Sequence, residues 1–136
     1  MNRRALWIAC LLILISVSLA RAQSANGTGT GPVILSDDAE KYLLGLHLEI
    51  LEDPGGQLTI QEVTSPEYSN RFVPSQEEVP NYGFTGSAYW VRFRLRNESQ
   101  SVDDWLLEVG FPNMHYVDLY LPDGVAYVSR QTGVLR

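Results

Sequence analysis

The sequence has one cysteine and two histidines, and this scarcity excludes several kinds of functional site. Cys10 lies near the start, so a chain processed after residue 22 would have neither a disulfide nor a cysteine nucleophile. His47 and His115 are not spaced with each other or with an acidic residue as metal ligands are. No Gly-x-Ser-x-Gly motif is present. We therefore predict a protein that is not an enzyme, holds no metal or cofactor, and depends on its apolar core for stability.

Long hydrophobic runs are missing after residue 20, and the run at the start is short for a membrane helix. It covers 16 residues, from 5 to 20, where roughly 20 are needed to cross a bilayer. Two arginines precede it, and Ala20-Arg21-Ala22 ends it with the small residues of a cleavage site. This arrangement predicts a secretory signal peptide over residues 1–22, and a retained N-terminal anchor is the alternative.

Basic residues are scarce in the rest of the chain. Without residues 1–22, seven Lys and Arg face sixteen Asp and Glu, a formal net charge of −9. This balance argues against nucleic acid and anionic membranes as partners. The glycines of residues 27–31 precede neither a lysine nor a helical pattern, so they do not predict a phosphate site. Residues 23–32 are predicted to be a flexible leader, followed by one domain over residues 33–136.

Residues 83–97 contain the clearest pattern in the chain, a glycine-rich turn followed by a strand with two different faces. One face is apolar and carries Tyr89, Val91, Phe93 and Leu95. The other face is mostly basic and carries Trp90, Arg92, Arg94 and Arg96. We expect the apolar face to lie in the core and the basic face to meet water or a ligand.

Other short β-prone or alternating segments, separated by turn signals, predict further strands. They cover residues 33–35, 44–51, 105–109, 114–121 and 125–130. The strongest turn signals are Asp53-Pro54-Gly55-Gly56 and Pro122-Asp123-Gly124. This spacing is typical of an antiparallel β-sandwich or barrel, hence an all-β fold. A sandwich commonly has seven or eight strands, so with about six we expect the domain to be incomplete at its C-terminus.

Two segments lie between the strands predicted over residues 44–51 and 83–97. Thr59 and Glu62 match a capping box, which favours a short helix over the alternative of a strand. Residues 65–82 contain three prolines and are predicted to be an irregular connection, of a length that is often functional or mobile. Within this connection, Phe72 and Val73 are candidates for the core.

Several sequence blocks, in a fixed order, are similar to one known family. They are Glu52-Asp53-Pro54-Gly55-Gly56, Leu58-Thr59-Ile60-Gln61-Glu62-Val63, Phe72 and Pro74, Tyr82-Gly83-Phe84-Thr85, Tyr89 to Asn97, and Val117-Asp118-Leu119-Tyr120. Together they resemble the type 2 extracellular domain of bacterial seven-transmembrane receptors with diverse intracellular signalling modules (7TMR-DISM). The similarity covers about residues 33–136, and the block around Trp90 is its most specific part.

This resemblance implies a jelly-roll β-sandwich related to carbohydrate-binding domains. It also implies a periplasmic or extracytoplasmic sensor that follows a signal peptide and precedes seven membrane helices. A cytoplasmic output domain, such as a histidine kinase or a diguanylate cyclase, would follow those helices. The sequence ends at Arg136 without these partner domains, so signalling is implied for a full-length relative.

The basic face of the central strand is the candidate binding site. Sugar sites on β-sandwiches place an aromatic ring against the sugar and surround it with hydrogen-bonding groups. If neighbouring strands align, seven residues form such a surface: Trp90, Arg92, Arg94, Glu108, Tyr116, Asp118 and Tyr120. The predicted ligand is a small polar molecule, a saccharide or a carboxylated metabolite. In the alternative, Trp90 belongs to the core and Arg92 pairs with Glu108 or Asp118 to hold the strands.

Two other functions stay open from the sequence. One is a secreted carbohydrate-binding module of a polysaccharide-acting enzyme, and the other is a structural interaction domain without a small ligand. His115 lies on an apolar face of its predicted strand and is interpreted as a core residue. Asp37, Asp38 and Glu40 could hold calcium, but they lack the alternating acidic spacing of calcium loops.

Overall fold

The computed structural model describes residues 31–111 and 113–135, so the predicted signal peptide and most of the predicted leader lie outside the described residues. The described part is mostly strands with few helices, which agrees with the predicted all-β class. Its strands are β1 (Val33–Leu35), β2 (Glu49–Asp53), β3 (Val73–Pro74), β4 (Ala88–Arg92), β5 (Leu95–Asn97), β6 (Val117–Asp123) and β7 (Ala126–Thr132). Its helices are a 3₁₀ turn (Gly45–His47), α1 (Ile60–Thr64) and α2 (Pro66–Ser69). The jelly-roll arrangement stays a prediction.

The strands form three small sheets. β2 lies at the centre of an antiparallel sheet in the order β3-β2-β4. β1 and β5 pair in parallel, and β6 and β7 form an antiparallel hairpin. The predicted turn at Pro122-Asp123-Gly124 is confirmed as this hairpin, although strand β6 continues to Asp123 and the turn falls on Gly124 and Val125. Gly124 has a φ of 62°, a conformation that a glycine adopts without steric cost.

The predicted central strand is two strands rather than one. It is interrupted at Phe93 and Arg94, where the chain leaves the sheet of β2 and joins β1. The carbonyl oxygen of Arg94 accepts a hydrogen bond from the backbone N–H of Val33 at 2.8 Å. In the sequence, apolar and basic residues continue to alternate across Phe93 and Arg94. The pattern alone therefore does not show that the chain changes its strand partner there.

Two other strand predictions are wrong. One strand begins later than predicted, and the other is not a strand. The strand predicted over residues 44–51 begins instead as the 3₁₀ turn, and Gly45 in this turn packs against the backbone of Glu78 so closely that a side chain would not fit. Residues 105–109 form no strand. The ring centre of Trp105 lies 5.6 Å from that of Tyr42, and its indole N–H donates to the side-chain oxygen of Asn97, at the end of β5, at 3.4 Å.

The predicted short helix is confirmed, with the expected cap. The backbone N–H of Thr59 donates to Glu62 at 2.8 Å, and the backbone N–H of Glu62 donates to the Thr59 hydroxyl at 3.3 Å. These reciprocal bonds satisfy two N–H groups that the first helical turn leaves unpaired. The helix buries Val63. The connection over residues 65–82, predicted to be irregular, contains α2 and β3.

The core is small and differs from the predicted one. Its buried apolar side chains are Val33, Leu35, Ile50, Leu51 and Val63. Val91 and Leu95, predicted to face the core, are 45% and 44% exposed. Val73 is exposed and Phe72 is half-buried. His115 is exposed and precedes β6, so its prediction as a core residue is also wrong.

Asp37 joins the turn after β1 to the turn after β5. Its carboxylate accepts hydrogen bonds from the Ser99 hydroxyl, the Ser101 hydroxyl at 2.6 Å and the Gln100 backbone N–H at 2.9 Å. These bonds, above all those from Ser101 and Ser99, hold the pKa of Asp37 far below its ordinary value because they favour the charged form. The contacts therefore give Asp37 a structural function.

We predict that Asp37→Ala lowers the thermal unfolding midpoint at pH 7. The folded-state pKa of Asp37 is lowered, so its contribution to stability is present at neutral pH and disappears as acid protonates the carboxylate. The difference between wild type and variant should therefore shrink below about pH 4. Asp38→Ala is the matched control, because the Asp38 carboxylate accepts a hydrogen bond from Ser36, whereas residues 99–101 donate to Asp37. Equal midpoints for the two variants at pH 7 would contradict this account.

Candidate functional site

The register between β2 and β4 separates two faces of the central sheet. Glu49 lies opposite Arg92, and Leu51 lies opposite Trp90. These four residues and Asp53 form one face, here called the tryptophan face. The opposite face, here called the tyrosine face, carries Ile50, Glu52, Val73, Tyr89 and Val91.

Arg92 is held on the tryptophan face by several contacts. Its Nε and Nη2 donate to the two carboxylate oxygens of Glu49 at 2.9 Å and 3.1 Å. Nη1 donates to the Ser69 hydroxyl at 2.9 Å, and the guanidinium lies 4.2 Å from the ring centre of Phe72. The hydrogen bonds from Arg92 are the largest influence on the pKa of Glu49, which is lowered. Most of the binding capacity of this guanidinium is thus used within the domain.

The predicted structural alternative for Arg92 named the wrong partner. That alternative paired Arg92 with Glu108 or Asp118, whereas the ion pair is with Glu49. Glu49 lies directly opposite Arg92 on the neighbouring strand, where side chains are close enough to pair. The sequence did not reveal this, because it predicted a strand over residues 44–51 without its register.

Trp90 also has partners inside the domain. Its ring is stacked with Tyr120 of β6, with 5.7 Å between ring centres and 28° between planes. The side chain of Asp53 is buried on the same face of the sheet. Burial raises the pKa of Asp53, but the hydrogen bonds from Leu58, Gln57, Trp90 and Gly56 outweigh burial, and the net pKa is lowered. The Leu58 N–H bond is 2.9 Å long.

The other predicted site residues are only partly brought together. Arg94 is exposed and lines a small hollow with His47 and Glu49, next to Arg92. Tyr120 and Asp118 lie two residues apart on β6 and so point to the same side of that strand. Tyr116 and Asp118 are exposed. Glu108 is exposed in a segment without regular structure, so no strand alignment brings it beside Trp90.

A cleft of about 310 Å³ lies over the tyrosine face. Its lining comes from β2, β3 and β4 and from the connection before β4: Ile50, Glu52, Arg71, Val73, Pro74, Ser75, Gln76, Glu77, Pro80, Asn81, Tyr82 and Tyr89. This cleft was not predicted from the sequence. The only signal for it was the length of the connection over residues 65–82, since such loops are often functional.

One wall of the cleft, around Ser75, is hydrogen-bonded to the chain just before β2. The backbone N–H of Ser75 donates to the carbonyl of Leu48 at 2.8 Å. The side chain of Ser75 is buried, and its hydroxyl donates to the Glu77 carbonyl at 3.1 Å. At the other side, the rings of Tyr82 and Tyr89 stack with 4.0 Å between centres and 12° between planes. Ordered walls on both sides allow a cleft to hold a ligand with little loss of conformational entropy.

The charged groups of the cleft are not paired with one another. Glu52 accepts hydrogen bonds on Oε1 from the Ser87 hydroxyl at 2.6 Å and the Tyr89 hydroxyl at 3.3 Å. Arg71 lies 4.8 Å from the ring centre of Tyr68 and forms no ion pair in the described part of the chain. Burial raises the pKa of Tyr82, and the neighbouring Tyr89 and acidic side chains raise it further.

Across residues 31–111 and 113–135, no cluster of three or more His, Cys, Asp or Glu side chains could hold a metal ion. No helix in these two ranges is long and apolar enough to cross a bilayer.

Comparison with known proteins defines the class. The family described as 7TMR-DISM extracellular 2 matches residues 45–136, more than half of the chain. The chain therefore belongs to the 7TMR-DISM extracellular 2 family, as its sequence blocks predicted. Membership indicates an extracellular sensor domain of a receptor whose full-length form has transmembrane and cytoplasmic domains. A comparison with curated proteins found no match.

We predict that the Arg92–Glu49 pair contributes to stability. A double-mutant cycle of Arg92→Ala and Glu49→Ala should give a coupling of about 1 kcal/mol from urea unfolding, because the pair is bidentate but partly open to solvent. Arg96 and Glu98 supply the matched control, since their pair is more exposed, at 61% and 50% of the side chains. The control cycle should give a smaller coupling. Equal couplings would show that the cross-strand position adds nothing.

Proposed function

We propose that this chain is the extracytoplasmic ligand-sensing domain of a bacterial membrane receptor. The family match over residues 45–136 carries this proposal. The ligand is a small polar molecule of the saccharide or carboxylated metabolite class, and the domain has no catalytic activity of its own. It is exported by its signal peptide and works in the periplasm or outside the cell.

Signalling needs the ligand to favour one state of the domain over another. A ligand shifts such an equilibrium only by its difference in affinity for the two states. The small core and the division of the strands into three short sheets support this mechanism, because short elements reorder at low cost. The transmembrane helices and the output domain of the full-length receptor would receive the change.

The tryptophan face and strand β6 form the first candidate surface for the ligand. Its proposed binding residues are Trp90, Arg92, Arg94, Tyr116, Asp118 and Tyr120, whereas Glu108, also predicted from the sequence, is not aligned beside Trp90. Arg94 is the proposed hydrogen-bond donor to the ligand, because the guanidinium of Arg92 already donates to Glu49 and Ser69. The stacked rings of Trp90 and Tyr120 would supply the aromatic surface beside it.

We predict that Arg94→Ala weakens ligand binding without unfolding the domain. Thermal shift with neutral saccharides and with carboxylated metabolites would first identify a ligand, and calorimetry would then compare its affinity for variant and wild type. Loss of one charged hydrogen-bonding group should cost about tenfold in affinity. Arg96→Ala is the control, since Arg96 pairs with Glu98 on the exposed strand β5.

Several results would count against the proposal. If the two arginine variants lose affinity equally, or if neither does, Arg94 is not a binding residue. Binding to an insoluble polysaccharide, with no response to small molecules, would favour a carbohydrate-binding module. Absence of any shift with either ligand class would remove the sensor function for this domain.

A further inference from the structure

Charged, aromatic and apolar side chains together line the cleft on the tyrosine face. Glu52 pairs in register with Tyr89, and Ile50 pairs with Val73. Arg71 lies in the turn just before β3 and lines the cleft together with Glu52. The lining is thus cationic, anionic, aromatic and apolar in different places.

These charges remain available to a ligand. In the part of the chain that the structure describes, Arg71 forms no ion pair, and its guanidinium lies 4.8 Å from the ring centre of Tyr68. Glu52 uses one carboxylate oxygen, Oε1, for both of its hydrogen bonds. Glu77 is held through its backbone N–H and carbonyl, and its carboxylate has no hydrogen bond or ion pair within residues 31–111 and 113–135.

An unpaired cation and two acids around one cleft complement a ligand with both charges. Arginine binds a carboxylate through two parallel hydrogen bonds. Carboxylates accept hydrogen bonds from an ammonium group, and tyrosine rings attract cations. Ile50 and Val73 provide an apolar floor for a side chain. A neutral saccharide could hydrogen-bond to these groups, but it would not compensate their charges.

The size of the cleft limits the ligand to a small molecule. Its volume of about 310 Å³ is near the lower end of the roughly 300–1,000 Å³ typical of ligand sites. This volume suits a single metabolite rather than a polymer. The stacked Tyr82 and Tyr89 rings border the cleft and restrict its width on that side.

We propose that the cleft over the tyrosine face binds a free α-amino acid or a similar small zwitterion. Arg71 binds the carboxylate, and Glu52 and Glu77 bind the ammonium group. The side chain of the ligand lies over Ile50 and Val73. This inference rests on the proposed sensor function and names its ligand class and a site distinct from the tryptophan face.

Calorimetry on the full chain with the common L-amino acids tests the ligand class. The best binder is compared with its methyl ester, which lacks the carboxylate, and with its N-acetyl derivative, which lacks the ammonium group. Each derivative should bind at least about tenfold more weakly than the amino acid. Equal affinity of either derivative would overturn the assignment of the corresponding charge. Glucose and succinate serve as a neutral and a dianionic comparison.

Variants on the two faces test the location. Arg71→Gln and Glu77→Gln should each weaken amino-acid binding about tenfold, with unchanged circular dichroism and thermal midpoint. Arg71→Lys should restore part of the affinity, because it keeps the charge but not the planar fork. Arg96→Gln is the control and should leave affinity unchanged, because Arg96 pairs with Glu98 on the exposed strand β5. If Arg94→Gln loses affinity and Arg71→Gln does not, the cleft is not the binding site.

The outcomes separate this inference from the proposed function. If glucose or succinate binds and no amino acid does, the zwitterion class is wrong and the sensor function stands. If amino acids bind with equal affinity to wild type and both cleft variants, the ligand class stands and the site is wrong. If no compound of any class binds, the inference and the proposed function both fail.

Discussion

The structure depends on the guanidinium of Arg92, which links β4 to β2 and to the segment from the end of α2 to Phe72. Its bonds to Glu49 fix the register of the central pair of strands, and its contacts with Ser69 and Phe72 hold the chain just before β3. Because that segment continues into Val73 at the cleft, an interaction on one face of the sheet positions the wall of a cavity on the other face. A core of few buried side chains would not hold this segment alone.

The two faces of the central sheet therefore differ in what they offer a ligand. On the tryptophan face, Arg92 and Trp90 are engaged by neighbours inside the domain, and Arg94 is the basic group that remains exposed. On the tyrosine face, Arg71 has no ion-pair partner within the described residues, and it lines a cleft that is open to solvent. Unpaired charge around a concave surface is a stronger indication of a binding site than charge in a cross-strand pair.

Local features of this fold could be predicted from the sequence, and non-local ones could not. The Thr59–Glu62 cap and the hairpin at Gly124 follow from residues within a few positions of each other, and both are confirmed. The change of strand partner at Phe93 depends on pairing with β1, about sixty residues away, and alternation does not report it. The cleft requires Arg71, Glu52 and Tyr89 to meet across three chain segments, so it becomes visible only with the register.

The central claim is that a small ligand binds over the tyrosine face of a receptor sensor domain, and backbone hydrogen exchange tests it most directly. Exchange would be measured by mass spectrometry with and without a bound amino acid. The account predicts slower exchange in residues 71–82 and in β2 and β4, since ligand contacts there oppose local opening. Slower exchange confined to β6 and β7, or no change at saturating ligand, would contradict it.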